Sequence, residues 1–136
     1  MEFIKTDIEG LLIIQPKVYG DNRGCFFESY SRQLFEQAGI KADFVQDNQS
    51  VSAKNVIRGL HLQAPPFAQA KLVRIVHGSA IDVAVDIRKG SPTYGQHVAV
   101  DRNLGIGVQA VEHQLEMAHP FVTRLDSERP TIRPHA

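Results

Sequence analysis

The sequence holds a single cysteine, Cys25, in 136 residues, and no tryptophan. One cysteine excludes an internal disulfide, a CxxC redox pair and a cysteine-rich metal site, and it fits a reducing cytoplasm. Net charge of either sign is also missing, because 15 Lys+Arg offset 15 Asp+Glu. That balance argues against a nucleic-acid or polyanion binder, although a local arginine cluster for one diphosphate stays compatible with it. No apolar run approaches the ~20 residues of a membrane-spanning helix, so no membrane contact is expected. Met1–Gln15 lacks a basic stretch followed by a long apolar run and does not read as a secretory signal. Helical periodicity is scarce, so a parallel sheet with alternating helices is not expected. Repeats and low-complexity segments are absent.

What is present is a globular composition, 43% hydrophobic, in a length that suits one domain over 1–136. Short apolar stretches alternate with turn signals. Leu11–Ile14 runs up to Pro16. Tyr19–Gly24 reads as a turn and Phe26–Tyr30 as a strand. One short helix is expected near residues 31–39, with Ser31 as cap, Leu34, Phe35 and Ala38 on one face and Gly39 as stop. Strand-like alternation then returns in Phe44–Gln46, Gln49–Ser52, Asn55–Gln63, Lys71–Val76, Ile81–Arg88 and His97–Val100. Strands of this length, separated by Gly and Pro turns, predict an all-β sandwich or barrel. From Asp101 the alternation fades, and no strand is assigned between Asp101 and Leu125.

The chemistry-bearing residues have two readings each. Arg58 and His61 are three apart, so a regular strand sends them to opposite faces, but Gly59 offers a bulge that would turn both toward one space. Lys71 opens the next strand, and Pro65–Pro66 imposes a turn that would bring it beside His61. His, Lys and Arg converging in a barrel make an electropositive pocket with a titratable base, suited to an anionic or enolising substrate. Against this, a lone strand histidine is commonly a surface or satisfied core residue, and Lys71 a solvated strand end. Arg23 in a turn is by default a surface arginine. Asp82 and Asp86 alternate with Val83 and Val85, which reads as the solvent face of an edge strand. Gln46, Asn48 and Gln49 fit simple turn chemistry. A metal site is not expected: His61, His77, His97, His113, His119 and His135 are scattered with no His-x-His.

Six segments in register resemble the dTDP-4-dehydrorhamnose 3,5-epimerase family. They are Asp21-Asn22-Arg23-Gly24-Cys25-Phe26-Phe27-Glu28, Phe44–Ser50, Arg58-Gly59-Leu60-His61-Leu62-Gln63 with the Pro65–Pro66 turn, Gln69–Arg74, Asp82–Arg88 and Ser91-Pro92-Thr93-Tyr94-Gly95. Their order and spacing fit from about Gly10 to Val100. The resemblance implies a cupin-like jelly-roll β-barrel, a homodimer with exchanged strands, and no metal or organic cofactor. It implies a dTDP-4-keto-6-deoxyhexose substrate, epimerised at C3 and C5 in dTDP-rhamnose biosynthesis. His61 would remove the protons and Lys71 would stabilise the enolate. Arg58 would sit by the sugar or phosphate, Gln46 and Asn48 by the nucleotide. Arg23 would pair with phosphate and Glu28 would bind thymine, both reaching in from the partner subunit, while Tyr19 would stack on the base.

The sequence also departs from the family pattern. Glu116-Met117-Ala118-His119-Pro120-Phe121 is the nearest text to the family's Gly-Phe-Ala-His-Gly-Phe segment, displaced by about one residue, and the resemblance makes His119 the candidate for its histidine. The family's general-acid tyrosine lies further on, yet the tyrosines here are Tyr19, Tyr30 and Tyr94. The carboxylate that orients the histidine belongs to a C-terminal part expected to be missing. Residues 101–136 are therefore expected to be diverged, incomplete or read from a shifted frame. Alternative readings are a catalytically impaired nucleotide-sugar-binding remnant, and a 3-epimerase or 3,4-ketoisomerase on the same fold.

Overall fold

The computed structural model describes residues 1–103, 108–111, 117–118 and 121–124. Among these lie eleven strands and one helix: β1 (Glu2–Lys5), β2 (Leu11–Gln15), β3 (Val18–Asp21), β4 (Gly24–Phe27), α1 (Arg32–Gln37), β5 (Val56–Arg58), β6 (Lys71–Arg74), β7 (Ser79–Asp86), β8 (His97–Asn103), β9 (Val108–Val111), β10 (Met117–Ala118) and β11 (Phe121–Arg124). All pairings are antiparallel. One sheet runs β1-β2-β9-β6. The second runs β10-β7-β11-β5, with β8 on β7, and β3-β4 form a separate hairpin. Two antiparallel sheets with crossovers between them are the all-β sandwich that the alternation and turn signals predict, and fit the cupin-like jelly roll that the family resemblance implies.

The first sheet is covered on both faces. Directly paired residues of neighbouring strands share a face, and successive residues alternate. Leu11 packs with Ile8, Ala84 and Val98, so its face meets the second sheet. Leu12 and Ile14 point the other way and pack with Phe3, Phe35, Ile40 and Leu72 under the helix. The helix forms as its signals predict. Ser31 caps it, its side-chain oxygen accepting from the Leu34 N–H, and Gly39 follows it at φ 89°. Phe35 is its buried anchor, with Phe3, Tyr30 and Phe44 edge-on around the ring. Burying one such side chain contributes about 1.5–3 kcal/mol. Ala38, expected on that face, is instead the exposed C-cap.

Several strand expectations need correction. Phe44–Gln46 and Gln49–Ser52 form no strand: Phe44 is held by the aromatic cluster, and Val45 and Val51 are exposed. The Tyr19–Gly24 turn is tighter than its glycines suggested, with strand through Asp21 and the reversal at Asn22–Arg23. Beyond Asp101, β8 continues to Asn103, and β9, β10 and β11 follow. There the pairing partners supply the order that local alternation does not show.

The largest correction concerns β7. It is the inner strand of its sheet, with β8 on one edge and β10 and β11 on the other. Ala80, Asp82, Ala84 and Asp86 are buried, while Ile81 is exposed. The period of two is right and its phase is inverted: the carboxylates face inward and the aliphatics outward. Asp86, with 0% exposure, closes the β7–β8 connection. Its Oδ1 accepts from the Arg88 N–H at 3.0 Å and Nε at 2.9 Å. Its Oδ2 accepts from the Arg88 Nη2 at 2.8 Å and from the Ser91 and Thr93 hydroxyls, each at 2.6 Å. The Asp86 backbone adds N–H to Gln96 O at 2.9 Å and receives the Gly95 N–H at 2.7 Å. The Arg88 guanidinium holds this carboxyl well below the usual carboxylate range. Burial opposes that shift, and the two hydroxyls add to it.

Removing one partner of a buried ion pair typically costs 3–5 kcal/mol. We therefore expect Asp86→Ala to lose about 3 kcal/mol in urea unfolding. A depressed native pKa stabilises above the unfolded value of about 3.9 and loses that contribution as pH falls through the native value. The wild type should lose stability below about pH 4, and Asp86→Asn should be flatter over that range. Equal acid slopes for the two would contradict this assignment.

Candidate functional site

The site is built from the two facing sheets inward. Lys71 pairs through Val111 with Leu11, so Lys71 shares the face of the first sheet that meets the second. Asp82 alternates with Ala84 on β7 and shares the opposing face. Phe121 pairs with Asp82 on one side and with Arg58 on the other. Asp82 and Arg58 thus stand in one register row, two strand spacings or about 10 Å apart. One inner face offers Lys71 and the other Asp82 and Arg58.

The segment 59–70 leaves β5 in the second sheet and enters β6 in the first, carrying His61 across. It starts at Gly59, whose φ of 119° is closed to ordinary L side chains, followed by a cis Gly59–Leu60 peptide. It turns again at the cis Pro65–Pro66 bond, where the Phe67 N–H bonds Ala64 O at 3.0 Å. His61 is exposed on this crossover, and Lys71 is half-buried at its end. The expected bulge at Gly59 is therefore a sharp exit from the strand.

The other predicted residues lie further out. Arg58 is exposed, and its guanidinium bonds Ser52 Oγ at 2.8 Å and Val51 O at 3.3 Å. Gln46 Nε2 donates to Asn48 Oδ1 at 3.3 Å, which keeps the two amides together on the surface. Tyr19, Arg23 and Glu28 belong to the β3–β4 hairpin and its exit, and all are exposed. Arg23 is held by Asp21: its Nε and Nη2 reach Oδ2 at 3.0 and 2.5 Å, and its N–H reaches Oδ1 at 2.8 Å. That contact lowers the Asp21 pKa. Lys17 stands 5.2 Å from the Tyr19 ring centroid. His119 lies outside the described residues. Among the described residues, no group of three or more His, Cys, Asp or Glu is placed to hold a metal ion.

Sequence reasoning placed Asp82 on a solvent face, whereas it is buried on the inner face with 1% exposure. The signal was the alternation Ile81–Asp86 itself, read in the wrong phase.

The sequence model of the family described as dTDP-4-dehydrorhamnose 3,5-epimerase matches residues 5–127. The chain belongs to that family. The match reaches beyond both ends of the six motifs, past Val100. A Shigella flexneri protein named dTDP-4-dehydrorhamnose 3,5-epimerase is 58% identical over 102 residues, covering 74% of this chain and 56% of that protein. The chain thus spans about half the length of such curated relatives. The dTDP-4-dehydrorhamnose 3,5-epimerase of Bacillus anthracis, solved with TDP and PPi bound, superposes with a TM-score of 0.84 at 38% identity, over 91% of this chain and 71% of that one. A dTDP-6-deoxy-D-glucose-3,5-epimerase from Legionella pneumophila, solved with dTDP-4-keto-L-rhamnose, gives 0.83 at 44% identity, over 91% and 65%.

The crossover of this epimerase-family chain depends on Gly59. A side chain there would be forced into a backbone region costing about 1–3 kcal/mol. Gly59→Ala should lower the melting temperature and displace His61. A variant that melts like the wild type would show that the crossover tolerates another backbone path.

Proposed function

We propose that this chain epimerises dTDP-4-dehydro-6-deoxy-D-glucose at C3 and C5 to dTDP-4-dehydro-L-rhamnose, in dTDP-rhamnose biosynthesis. The observation that carries the reading is the strand register, with Lys71 on the inner face of one sheet, Arg58 and Asp82 in one row of the other, and the His61-bearing crossover linking the two sheets. Family membership and relatives solved with dTDP-sugar ligands support it.

The ketone at C4 acidifies the hydrogens at C3 and C5. The His61 imidazole takes one of these protons, and the C–H electron pair moves into the C4 carbonyl as an enolate. The Lys71 ammonium offsets the negative charge as it develops on that oxygen. Returning a proton to the opposite face of the carbon inverts it and restores the ketone. No electron leaves the substrate, so the reaction needs no redox cofactor, and the Lys71 ammonium gives the enolate oxygen the positive charge that a metal would otherwise supply. Arg58 serves the sugar or phosphate, and Gln46 and Asn48 the nucleotide side. His119 adds a substrate contact. Arg23 takes phosphate, Glu28 thymine and Tyr19 the base face, with Arg23 and Glu28 supplied across a homodimer.

Two features support that dimer, which exchanges strands. The β3–β4 hairpin pairs with no other strand among the described residues, and it exposes Phe26 and Tyr19. On the outer face of the second sheet, Ile57 and Ile81 share a register row and are 68% and 42% exposed. The one domain spans 1–136, and its place of work is the cytoplasm. A second reading, a nucleotide-sugar-binding member with impaired catalysis, draws on the tyrosines, which stop at Tyr94. A lost general acid costs about 10²–10⁴-fold.

Proton NMR of the substrate in D₂O separates the readings. The wild type should wash out the C3 and C5 proton signals and give inverted product, and His61→Ala should do neither. Lys71→Ala should slow exchange by about 10²–10³-fold. Exchange without inversion would favour the impaired reading, inversion at C3 alone a 3-epimerase, and a moved carbonyl a ketoisomerase. No exchange above the His61→Ala control would overturn catalysis by this chain.

A further inference from the structure

Arg58 ends β5, and the chain on its N-terminal side folds back along that strand. The reversal is at Lys54–Asn55, where Asn55 takes a left-handed φ of 65° that asparagine tolerates better than most residues. It sets Val51 and Ser52 beside Arg58, seven and six residues away in sequence. The Arg58 Nε–H donates to Ser52 Oγ at 2.8 Å, and its Nη2 donates to Val51 O at 3.3 Å. Ser52 is half-buried, whereas Arg58 is exposed. A guanidinium carries five N–H donors in one plane. Two of them are engaged by these bonds. Among the described residues no hydrogen bond engages the other three, two on Nη1 and one on Nη2.

We propose that Ser52 is a positioning residue: with the Val51 carbonyl it clamps the Nε edge of Arg58 and turns the remaining donors toward an anionic oxygen of the bound nucleotide sugar. This deepens the proposed function and rests on its placement of Arg58 by the sugar or phosphate. An exposed arginine otherwise spreads over many rotamers, and ordering it on binding opposes affinity. Fixing Nε beforehand removes part of that cost and sets the plane in which a phosphate or enolate oxygen is met. The clamp also ties the segment bearing Gln46 and Asn48 to the end of β5. Nucleotide-side and sugar-side contacts are then held to one strand.

Two measurements on the full chain test this. In ¹⁵N-labelled protein, the Arg58 Nε–H signal, assigned by its loss in Arg58→Lys, should exchange slowly with water in the wild type and in Ser52→Thr. In Ser52→Ala it should exchange several-fold faster. An unchanged signal in Ser52→Ala would overturn the clamp. In steady-state kinetics with the dTDP-4-keto sugar, Ser52→Ala should lower kcat/KM about 10-fold, the scale of one bond to a charged group. Ser52→Thr should restore it, and Ser52→Ala should cost nothing further in an Arg58→Ala background. An equal loss in both backgrounds would mean Ser52 acts without Arg58, against the proposal. If Arg58→Ala alone leaves kcat/KM unchanged, the placement of Arg58 by the substrate fails, and the Nε–H signal still decides the clamp.

Discussion

The buried carboxylate of Asp86 fixes the strand on which the second sheet depends. It gathers five hydrogen bonds from Arg88, Ser91 and Thr93 at the point where β7 ends. A buried charge without such partners would be strongly destabilising, so the connection has one arrangement that satisfies it. With the end of β7 locked, the register of β8 is set on one edge and that of β10 and β11 on the other. Asp82 follows at two alternations upstream on the same face, and β11 carries the row to Arg58. A one-residue slip would turn Asp82 outward and Ile81 inward.

The first sheet is constrained by packing. Leu11 on one face and Ile14 on the other are both buried, which leaves β2 no freedom to rotate. β9 copies that orientation to β6, and Lys71 inherits the inner face from Leu11. The two sheets thus deliver their charged residues by different physics, an ion-pair knot in one and two apolar clusters in the other. The 59–70 crossover is the covalent link between them, and its starting angle requires Gly59.

Much of this was legible in the sequence. The helix signals at Ser31, Phe35 and Gly39 are local and were met almost residue for residue. The all-β architecture and the turns near Asn22–Arg23 and Pro65–Pro66 were equally plain. Type and spacing singled out His61, Lys71 and Arg58 as candidates, the resemblance supplied their proposed roles, and the six motifs pointed to the family to which the chain belongs. Two things were not legible. Alternation in Ile81–Asp86 assigns residues to two faces but does not say which face is inside, and the habit of placing carboxylates outward failed where a charged interior is wanted. The strands after Asp101 depend on partners distant in the chain, so a local window does not reveal them. Ser52 was equally hidden, because its role depends on a reversal at Asn55 that sequence alone left as ordinary strand text.

The central claim is that substrate lies between the two sheets, against Lys71 on one face and Arg58 on the other. A crystal structure of this chain with bound dTDP-glucose tests it most directly. The account predicts the hexose between the inner faces, with Lys71 Nζ within about 3 Å of the sugar O4 and the Arg58 guanidinium, still bonded to Ser52, turned toward the sugar or diphosphate. A hexose bound on the outer face beside Ile57 and Ile81, or Lys71 turned away from the ligand, would contradict it.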